Sequence, residues 1–193
     1  TNIDEECTRH YSDLDTSTPD APVLVENLTI ENSATRTMYL KNSGGAIVRN
    51  IIVANSRLSG HGRDDDILDA QGNEDVPSFV SHIDTFNVKA GTEIESSDGE
   101  VDTTTIWGID PMFVDAANHD YTLSAASHLY GLGYNGTTLG DLNWATEDPT
   151  HVYLDITAEN GYVETSPEPV GLTYDPSTVV TLTAVPDSGY DFV

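Results

Sequence analysis

The residues best suited to chemistry lie in one polar, glycine-rich segment, residues 57–66. Three consecutive carboxylates, Asp64, Asp65 and Asp66, end this segment, and Ca²⁺ prefers oxygen ligands of this kind. Calcium binding is therefore one hypothesis, and Ca²⁺ is the one cofactor that the sequence suggests. The simpler interpretation, which we favour, is a solvated loop whose charges pair locally. Consecutive aspartates on a strand would also point to opposite faces.

A repeat surrounds this segment and would have to position it. Residues 26–33 reappear, with conservative changes, as residues 49–56, 23 residues later. In each copy apolar residues alternate with polar ones, and each copy ends in Asn-Ser, a turn signal. Strand-like self-similarity at this period is typical of a solenoid, and it predicts stacked coils of a parallel β-helix. The predicted core columns are Leu28 on Ile51 and Ile30 on Val53.

Four asparagines occupy equivalent positions in the two copies. Asn27 aligns with Asn50, and Asn32 aligns with Asn55. Asparagine side chains at equivalent positions of stacked coils can hydrogen-bond along the column, as they do in cross-β stacks. We therefore predict a structural ladder that stabilises the turns, without a catalytic role.

Composition excludes several classes of protein. Acidic residues outnumber basic ones 33 to 7, which gives a formal net charge of −26. This excess argues against binding to nucleic acid and against contact with anionic membrane surfaces. It suits either solubility in an extracellular or saline setting or calcium binding by some of the carboxylates.

The chain shows few signs of covalent or membrane anchoring. Cys7 is the only cysteine, so an intrachain disulfide and a cysteine-based metal site are both excluded. No apolar run is long enough for a transmembrane helix, and no signal peptide is visible. We expect Thr1 and Val193 to be cuts in a longer polypeptide, because the chain begins without Met and stops within a strand-like run.

Residues 107–145 contain three motifs in a fixed order. Asp-Pro-Met-Phe-Val-Asp at 110–115 precedes Asp-Tyr-Thr-Leu at 120–123, a glycine-rich turn follows at 127–133, and Leu-Gly-Asp-Leu-Asn-Trp ends the series. Together with the repeat, these motifs resemble the closing coil of right-handed parallel β-helix proteins of the pectate-lyase-like superfamily. The resemblance covers residues 22–145 and implies an all-β fold. His128 departs from the proline usual in that pattern.

A second resemblance concerns the C-terminal residues. The run from Thr178 to Ala184, followed by Gly189 and Tyr190, resembles the internalin-B-type B-repeat, a small β module of bacterial surface and secreted proteins. We predict coils and a closing segment over residues 1–148 and an incomplete module over residues 149–193. The resemblance implies a secreted or cell-surface protein of bacterial origin.

The first resemblance also implies a chemistry. Pectate-lyase-like enzymes use carboxylate-bound Ca²⁺ and an Arg or Lys base for β-elimination on acidic polysaccharides, and related hydrolases use paired Asp residues. It makes Arg57, His61 and Arg63 candidate carbohydrate-binding residues. No segment reproduces a lyase arginine motif, so whether the chain is an enzyme stays open. If it is one, a polysaccharide lyase or glycoside hydrolase is implied, with most catalytic residues outside this chain.

Two functions of different classes therefore remain. The first is the non-catalytic C-terminal part of a secreted or cell-surface polysaccharide-active protein, with polysaccharide as its partner. The alternative is an extracellular structural or adhesive protein, a stalk or filament subunit without catalysis. An uncapped coil presents open strand edges, so we expect a further chain or a missing segment to contact the N-terminal coil end.

Two Asn-x-Thr sequons also occur, at Asn27 and at Asn135. Such motifs are acceptors for N-glycosylation, but motifs this short arise by chance. A bacterial origin would argue against the modification.

Overall fold

The structure is a computed structural model that describes residues 8–11, 22–33, 36–41, 44–56, 66–72, 75–89, 93–96, 98–145, 152–154 and 156–190. For residues 8–11, 66, 93 and 153 the description is limited to the backbone. Within these ranges the regular elements are β-strands and single turns of 3-10 helix, without an α-helix.

The strands are short and follow one another closely. The first nine are β1 (Thr8–Tyr11), β2 (Val23–Glu31), β3 (Met38–Lys41), β4 (Ala46–Ala54), β5 (Asp66–Gln71), β6 (Phe79–Phe86), β7 (Glu93–Glu95), β8 (Glu100–Val101) and β9 (Ile106–Trp107). The later ones are β10 (Phe113–Asp115), β11 (Asp120–Leu123), β12 (Val152–Tyr153), β13 (Gly161–Ser166), β14 (Thr173–Tyr174) and β15 (Thr181–Pro186). The 3-10 turns are Thr103–Thr105, Ala116–Asn118, Tyr134–Gly136 and Leu142–Trp144.

The first nine strands form two parallel sheets. Sheet A has the order β1-β3-β5-β7, and sheet B has the order β2-β4-β6, with β8 and β9 both paired to β6. The chain passes alternately between the sheets, so successive passes stack on one another. The register pairs Leu28 with Ile51 and Ile30 with Val53, which are the columns predicted from the repeat. The expectation of a mostly β protein with parallel strands is confirmed in the described part of the chain.

Each long strand of sheet B bends at one corner residue. Asn27, Asn50 and His82 are these corner residues, with φ of 58°, 58° and 54°. Residues other than glycine rarely adopt this left-handed backbone conformation, but asparagine and histidine do so more readily than most. The corner residues follow one another up the stack, because the register pairs their neighbours on both sides.

The corner changes which residues face the interior. Along β4, Ala46 and Val48 are buried in the core before the corner, and Ile51 and Val53 are buried in it after Asn50. The spacing of two is thus broken once, so the strand has two limbs that both turn an apolar face inward. One core lies between sheet A and both limbs of sheet B. Its buried members are Ile30, Met38, Leu40, Ala46, Val48, Ile51, Val53, Ile67, Leu68, Ala70, Val80 and Ile83.

A tail segment, residues 108–144, covers the outer face of the second limb of sheet B. It builds a second buried cluster on Ile52 and Ala54, whose members from the tail are Leu123, Leu129, Tyr130, Leu132 and Leu139. Both faces of β4 are therefore covered, which explains its unbroken apolar run after the corner. Burying a side chain such as Ile52 stabilises the fold by about 1.5–3 kcal/mol.

Hydrogen bonds join the tail segment to three successive strands of sheet B. The donors are backbone N–H groups and the acceptors are side chains: Ile109 to Asp84 Oδ1 (2.8 Å), Tyr134 to Asn50 Oδ1 (2.6 Å) and Asp141 to Thr29 Oγ1 (3.0 Å). The tail therefore runs from β6 back to β2. Gly140 allows the close approach, because a Cβ there would lie 2.6 Å from Ile52 Cδ1.

The remaining strands pair antiparallel in twos, β10 with β11, β12 with β14 and β13 with β15. The C-terminal pairs meet the tail segment at His128, whose Nδ1 lies 2.9 Å from Thr173 Oγ1. Thr173 is fully buried at this contact. The domain boundary at residue 148 stays a prediction, because residues 146–151 lie outside the described ranges.

Replacing Asn50 with alanine should lower the free energy of unfolding by about 3 kcal/mol. The variant loses the hydrogen bond to Asn27, leaves the Tyr134 N–H without its acceptor, and retains an unfavourable φ. Urea denaturation monitored by circular dichroism measures this loss of unfolding free energy. Asn135→Ala is the matched control, because Asn135 has a similar φ of 60° but is exposed, and about 1 kcal/mol is expected there. Equal losses in the two variants would contradict the role of the Asn50 side chain.

Asp84 is a buried acid beneath the tail segment. Its side chain is fully buried, Oδ1 accepts from Ile109, and Oδ2 has no hydrogen-bond partner among the described residues. Burial raises the pKa of Asp84 from 3.8 to about 7; the Ile109 N–H opposes the rise and the nearby charge of Asp110 adds to it. Because this pKa is higher folded than unfolded, stability falls as pH rises from about 4 to about 7.

Asp84→Asn should therefore stabilise the protein at pH 8 and change little at pH 4. The pKa difference between 3.8 and about 7 corresponds to an increase in unfolding free energy of at most about 4 kcal/mol at pH 8. The asparagine side chain can still accept the hydrogen bond from the Ile109 N–H. Thermal denaturation of both proteins across this pH range provides the measurement, with the exposed Asp98→Asn as control. A constant difference between wild type and Asp84→Asn at all pH values would show that Asp84 does not titrate as stated.

Candidate functional site

The outer side of sheet A carries polar residues at the positions that alternate with the core. Met38 and Leu40 of β3 face the core, and so do Leu68 and Ala70 of β5. Because side chains alternate along a strand, the residues between and after them point outward. The outward residues, with one that precedes β3, are Arg36, Tyr39, Lys41, Asp69 and Gln71, and we call this set the sheet A face.

A buried ion pair lies at the centre of the sheet A face. Arg36 Nη1 lies 3.8 Å from Asp69 Oδ2, and their side chains are only 10% and 6% exposed. Gln71 Nε2 donates to the same oxygen of Asp69 at 2.9 Å, and the Arg36 guanidinium lies 4.9 Å from the centre of the Tyr39 ring. Asp69 Oδ1 has no hydrogen-bond partner within the described ranges. The pair therefore holds the surrounding polar groups in fixed positions with little help from water.

The sheet A face is rich in hydrogen-bond donors. Arginine presents a planar fork of N–H groups that suits carboxylate and sulfate, and lysine adds a compact positive charge. The Tyr39 hydroxyl lies 3.5 Å from Gln71 Oε1, so a hydroxyl and an amide stand beside the two cations. Lys41, Tyr39 and Gln71 are half-buried and can contact a ligand that carries both negative charge and hydroxyl groups, whereas Arg36 is buried against Asp69.

Two of the chain's seven basic residues, Arg36 and Lys41, belong to the sheet A face. Arg9 lies on β1, where the backbone register pairs it with Tyr39, and Arg57 and Arg63 lie outside the described ranges. Of the other two, Arg49 on sheet B is ion-paired with Glu26 at 2.8 Å, and Lys89 is exposed. The sheet A face therefore carries two of the few positive charges in a chain of net charge −26.

Most of the residues predicted for chemistry lie outside the described ranges, so their roles stay predictions. These are Arg57, His61, Arg63, Asp64 and Asp65. Asp66 is the first residue of β5, and its backbone pairs with Glu93 of β7. The predicted segment therefore leads directly into sheet A. The described part of the chain holds no group of three or more His, Cys, Asp or Glu residues placed to bind a metal.

Of the predicted ladder asparagines, Asn27 and Asn50 lie within β2 and β4 of sheet B, and Asn32 and Asn55 come just after these strands. Asn50 Nδ2 donates to Asn27 Oδ1 at 3.0 Å. Asn55 Nδ2 donates to Glu31 at 3.3 Å, and Asn55 Oδ1 accepts from Asn87 at 2.7 Å. Asn32 adopts the same left-handed conformation, with φ of 58°, and is exposed. These contacts are structural and lie away from the sheet A face.

Arg36, Lys41 and Asp69 were not singled out by the sequence analysis. A signal for Lys41 and Asp69 exists in the apolar alternation of Met38-x-Leu40 and Leu68-x-Ala70, because it leaves the residues between and after them facing outward. Arg36 precedes Met38 by two residues and is not marked by this alternation. The signal could not be used, because the offset between β3 and β5 is 30 residues rather than the 23 of the repeat.

A double-mutant cycle should reveal strong coupling between Arg36 and Asp69. Asp69→Asn and Arg36→Met should each cost about 3 kcal/mol of unfolding free energy, because each leaves a buried charge without its partner. The double variant should lose clearly less than the sum of the two. The Glu26→Gln and Arg49→Met cycle is the control, since this pair is 34% and 23% exposed and its coupling should stay below about 1 kcal/mol. Additive losses for Arg36 and Asp69 would contradict the buried pair.

Comparison with known proteins identifies a family. A family model described as "Disaggregatase related" matches residues 23–138, which is more than half of the chain and covers sheet B, sheet A without β1, and most of the tail segment. No curated protein and no solved structure matches the chain. Within the described ranges, no helix has the length and apolar character needed to span a membrane. The chain belongs to the disaggregatase-related family, whose domain is of the parallel β-helix type.

Proposed function

We propose that this chain is an extracellular β-helical domain that binds acidic polysaccharide on the sheet A face, as the non-catalytic C-terminal part of a polysaccharide-active protein. The observation that carries the proposal is the sheet A face, where Arg36 and Lys41 stand with the Tyr39 hydroxyl and the Gln71 amide in a chain of net charge −26. Elsewhere a polyanion would be repelled. Sheet A is the place where attraction can exceed that repulsion.

The finer architecture supports a polymer as the ligand. We infer that the stacked passes form a right-handed parallel β-helix, with sheet A and the two limbs of sheet B as its three sides. Neighbouring strands of a sheet lie about 4.8 Å apart, so a column of outward residues forms an extended, regularly spaced surface. Sheet B is occupied by the tail segment on its second limb, which leaves sheet A as the broad polar side.

The family supports the extracellular setting. Disaggregatase-related domains occur in extracellular and surface proteins. The name refers to an activity that disperses aggregates, and a domain that holds polysaccharide would place such an activity on the material that joins the aggregate. The C-terminal strands would then be the B-repeat-like module that links this domain to its neighbours. Ca²⁺ at Asp64, Asp65 and Asp66 would help to bridge an acidic polymer to an acidic chain.

The alternative, a structural or adhesive subunit, is favoured by one observation. A cavity of about 520 Å³ opens at the last passes of the stack, and its lining includes Val88, Val101 and Ile106 together with Thr85 and Thr103. An open end of this kind can contact another chain, as we also propose for the N-terminal coil end. Long regular assemblies without polysaccharide binding would favour this function.

Lys41→Gln should weaken the binding of the intact protein to polygalacturonate by about threefold to tenfold, because one charge contact is lost. Lys89→Gln is the matched control and should bind as the wild type does, since Lys89 lies outside sheet A. Isothermal titration calorimetry with polygalacturonate and with neutral dextran provides the measurement. Affinity for the acidic polymer should fall as salt is added.

Two results would contradict the proposal. Equal affinities of the Lys41→Gln and Lys89→Gln variants would show that binding does not depend on the sheet A face. Equal affinity for dextran and polygalacturonate would show that electrostatic attraction does not contribute to binding. An assay for new reducing ends and for unsaturated products, run on the same samples, separates binding from cleavage.

A further inference from the structure

The two sequons of this chain occupy opposite environments. At the first one, Asn27 Oδ1 accepts from Asn50 Nδ2 at 3.0 Å, and Thr29 Oγ1 accepts from the Asp141 N–H at 3.0 Å. Asn27 is a corner residue inside a paired strand, and Thr29 lies under the tail segment. A sugar attached here would disturb both the corner column and the end of the tail.

The second sequon lies at the surface of the tail segment. Asn135 is exposed in the 3-10 turn Tyr134–Gly136, where its backbone is left-handed with φ of 60°. Its amide makes no hydrogen bond to the described residues. A Cβ built on Gly136 would meet no atom within 4 Å, so the space around this turn is open. Thr137, the third residue of the motif, is also exposed, and its hydroxyl donates to the Tyr134 carbonyl at 3.0 Å and accepts from Asn50 Nδ2 at 3.3 Å. The two sequons therefore differ in the surroundings of the asparagine, since both threonine hydroxyls are hydrogen-bonded.

We propose that Asn135 is an N-glycosylation site and that Asn27 is not. The proposal rests on the extracellular location given under the proposed function, and it departs from the expectation that a bacterial origin argues against this modification. The side-chain nitrogen of Asn135 forms a bond to the anomeric carbon of a sugar carried on a lipid-linked phosphate. The bond from that carbon to the phosphate oxygen breaks, the lipid phosphate leaves with the electron pair, and one amide proton passes to a base of the transferase.

The position of Asn135 is compatible with the folded protein and its proposed binding side. Tyr134, its neighbour, packs with its ring centre 3.9 Å from the Arg49 guanidinium on the outer face of sheet B. A glycan on Asn135 would therefore extend from the sheet B side into solvent. Sheet A lies on another side of the core, so the sheet A face stays uncovered.

Mass spectrometry of the protein recovered from the surface or medium of its own cells tests this assignment. We expect the peptide that contains Asn135 to carry a sugar mass, and the peptide that contains Asn27 to be unmodified. Asn135→Gln and Thr137→Ala, made in the same cells, should each remove the added mass. Thr137→Ser should retain it, because serine preserves the sequon, and Asn27→Gln should leave it unchanged.

Extracellular protein with an unmodified Asn135, or with a sugar on Asn27, would overturn the inference. Normal binding to polygalacturonate in such a sample would leave the proposed function standing. A modified Asn135 in a protein that fails to bind acidic polysaccharide would instead support this inference and overturn the proposed function. Protein confined to the cell interior would contradict both.

Discussion

Asn50 stands where three parts of this protein meet. Its left-handed backbone bends β4, its side chain bonds to Asn27 on the strand beside it, and its carbonyl oxygen Oδ1 receives the Tyr134 N–H of the tail segment. Without the bend, residues after the corner would keep the earlier alternation and turn their apolar side chains outward. The single core between sheet A and both limbs of sheet B depends on this conformation, as does the surface on which the tail packs.

The tail segment makes the two sheets unequal. It covers the second limb of sheet B with apolar side chains and joins three successive strands through backbone donors. The tail segment lies over Asp84, and burial of this side chain raises its pKa because the charged carboxylate is poorly solvated there. Sheet A receives no such cover from the tail. The sheet A face, with Arg36 and Lys41, is therefore a side that the tail segment does not cover.

Much of the fold could be predicted because its contacts repeat locally. The alternation of Leu28 and Ile30 and its copy at Ile51 and Val53 predict strands, their parallel register and the columns inside them. The sheet A face could not be predicted in the same way. Arg36 and Asp69 are 33 positions apart and lie on passes of different length, so no fixed period brings them together. The segment at residues 57–65 that lengthens this pass is the one in which the sequence analysis placed its chemistry.

The sequence by itself determined that this chain stacks short parallel strands, because apolar alternation and asparagine turns recur at one spacing and each strand needs a neighbour to bury its apolar face. It also determined the acidity of the chain, whose formal net charge of −26 would repel a polyanion. Only the tertiary structure decided where the tail goes. Its hydrogen bonds to sheet B join residues as far apart as Thr29 and Asp141. Every residue except proline has a backbone N–H, so the sequence does not indicate which side chain will accept a given one.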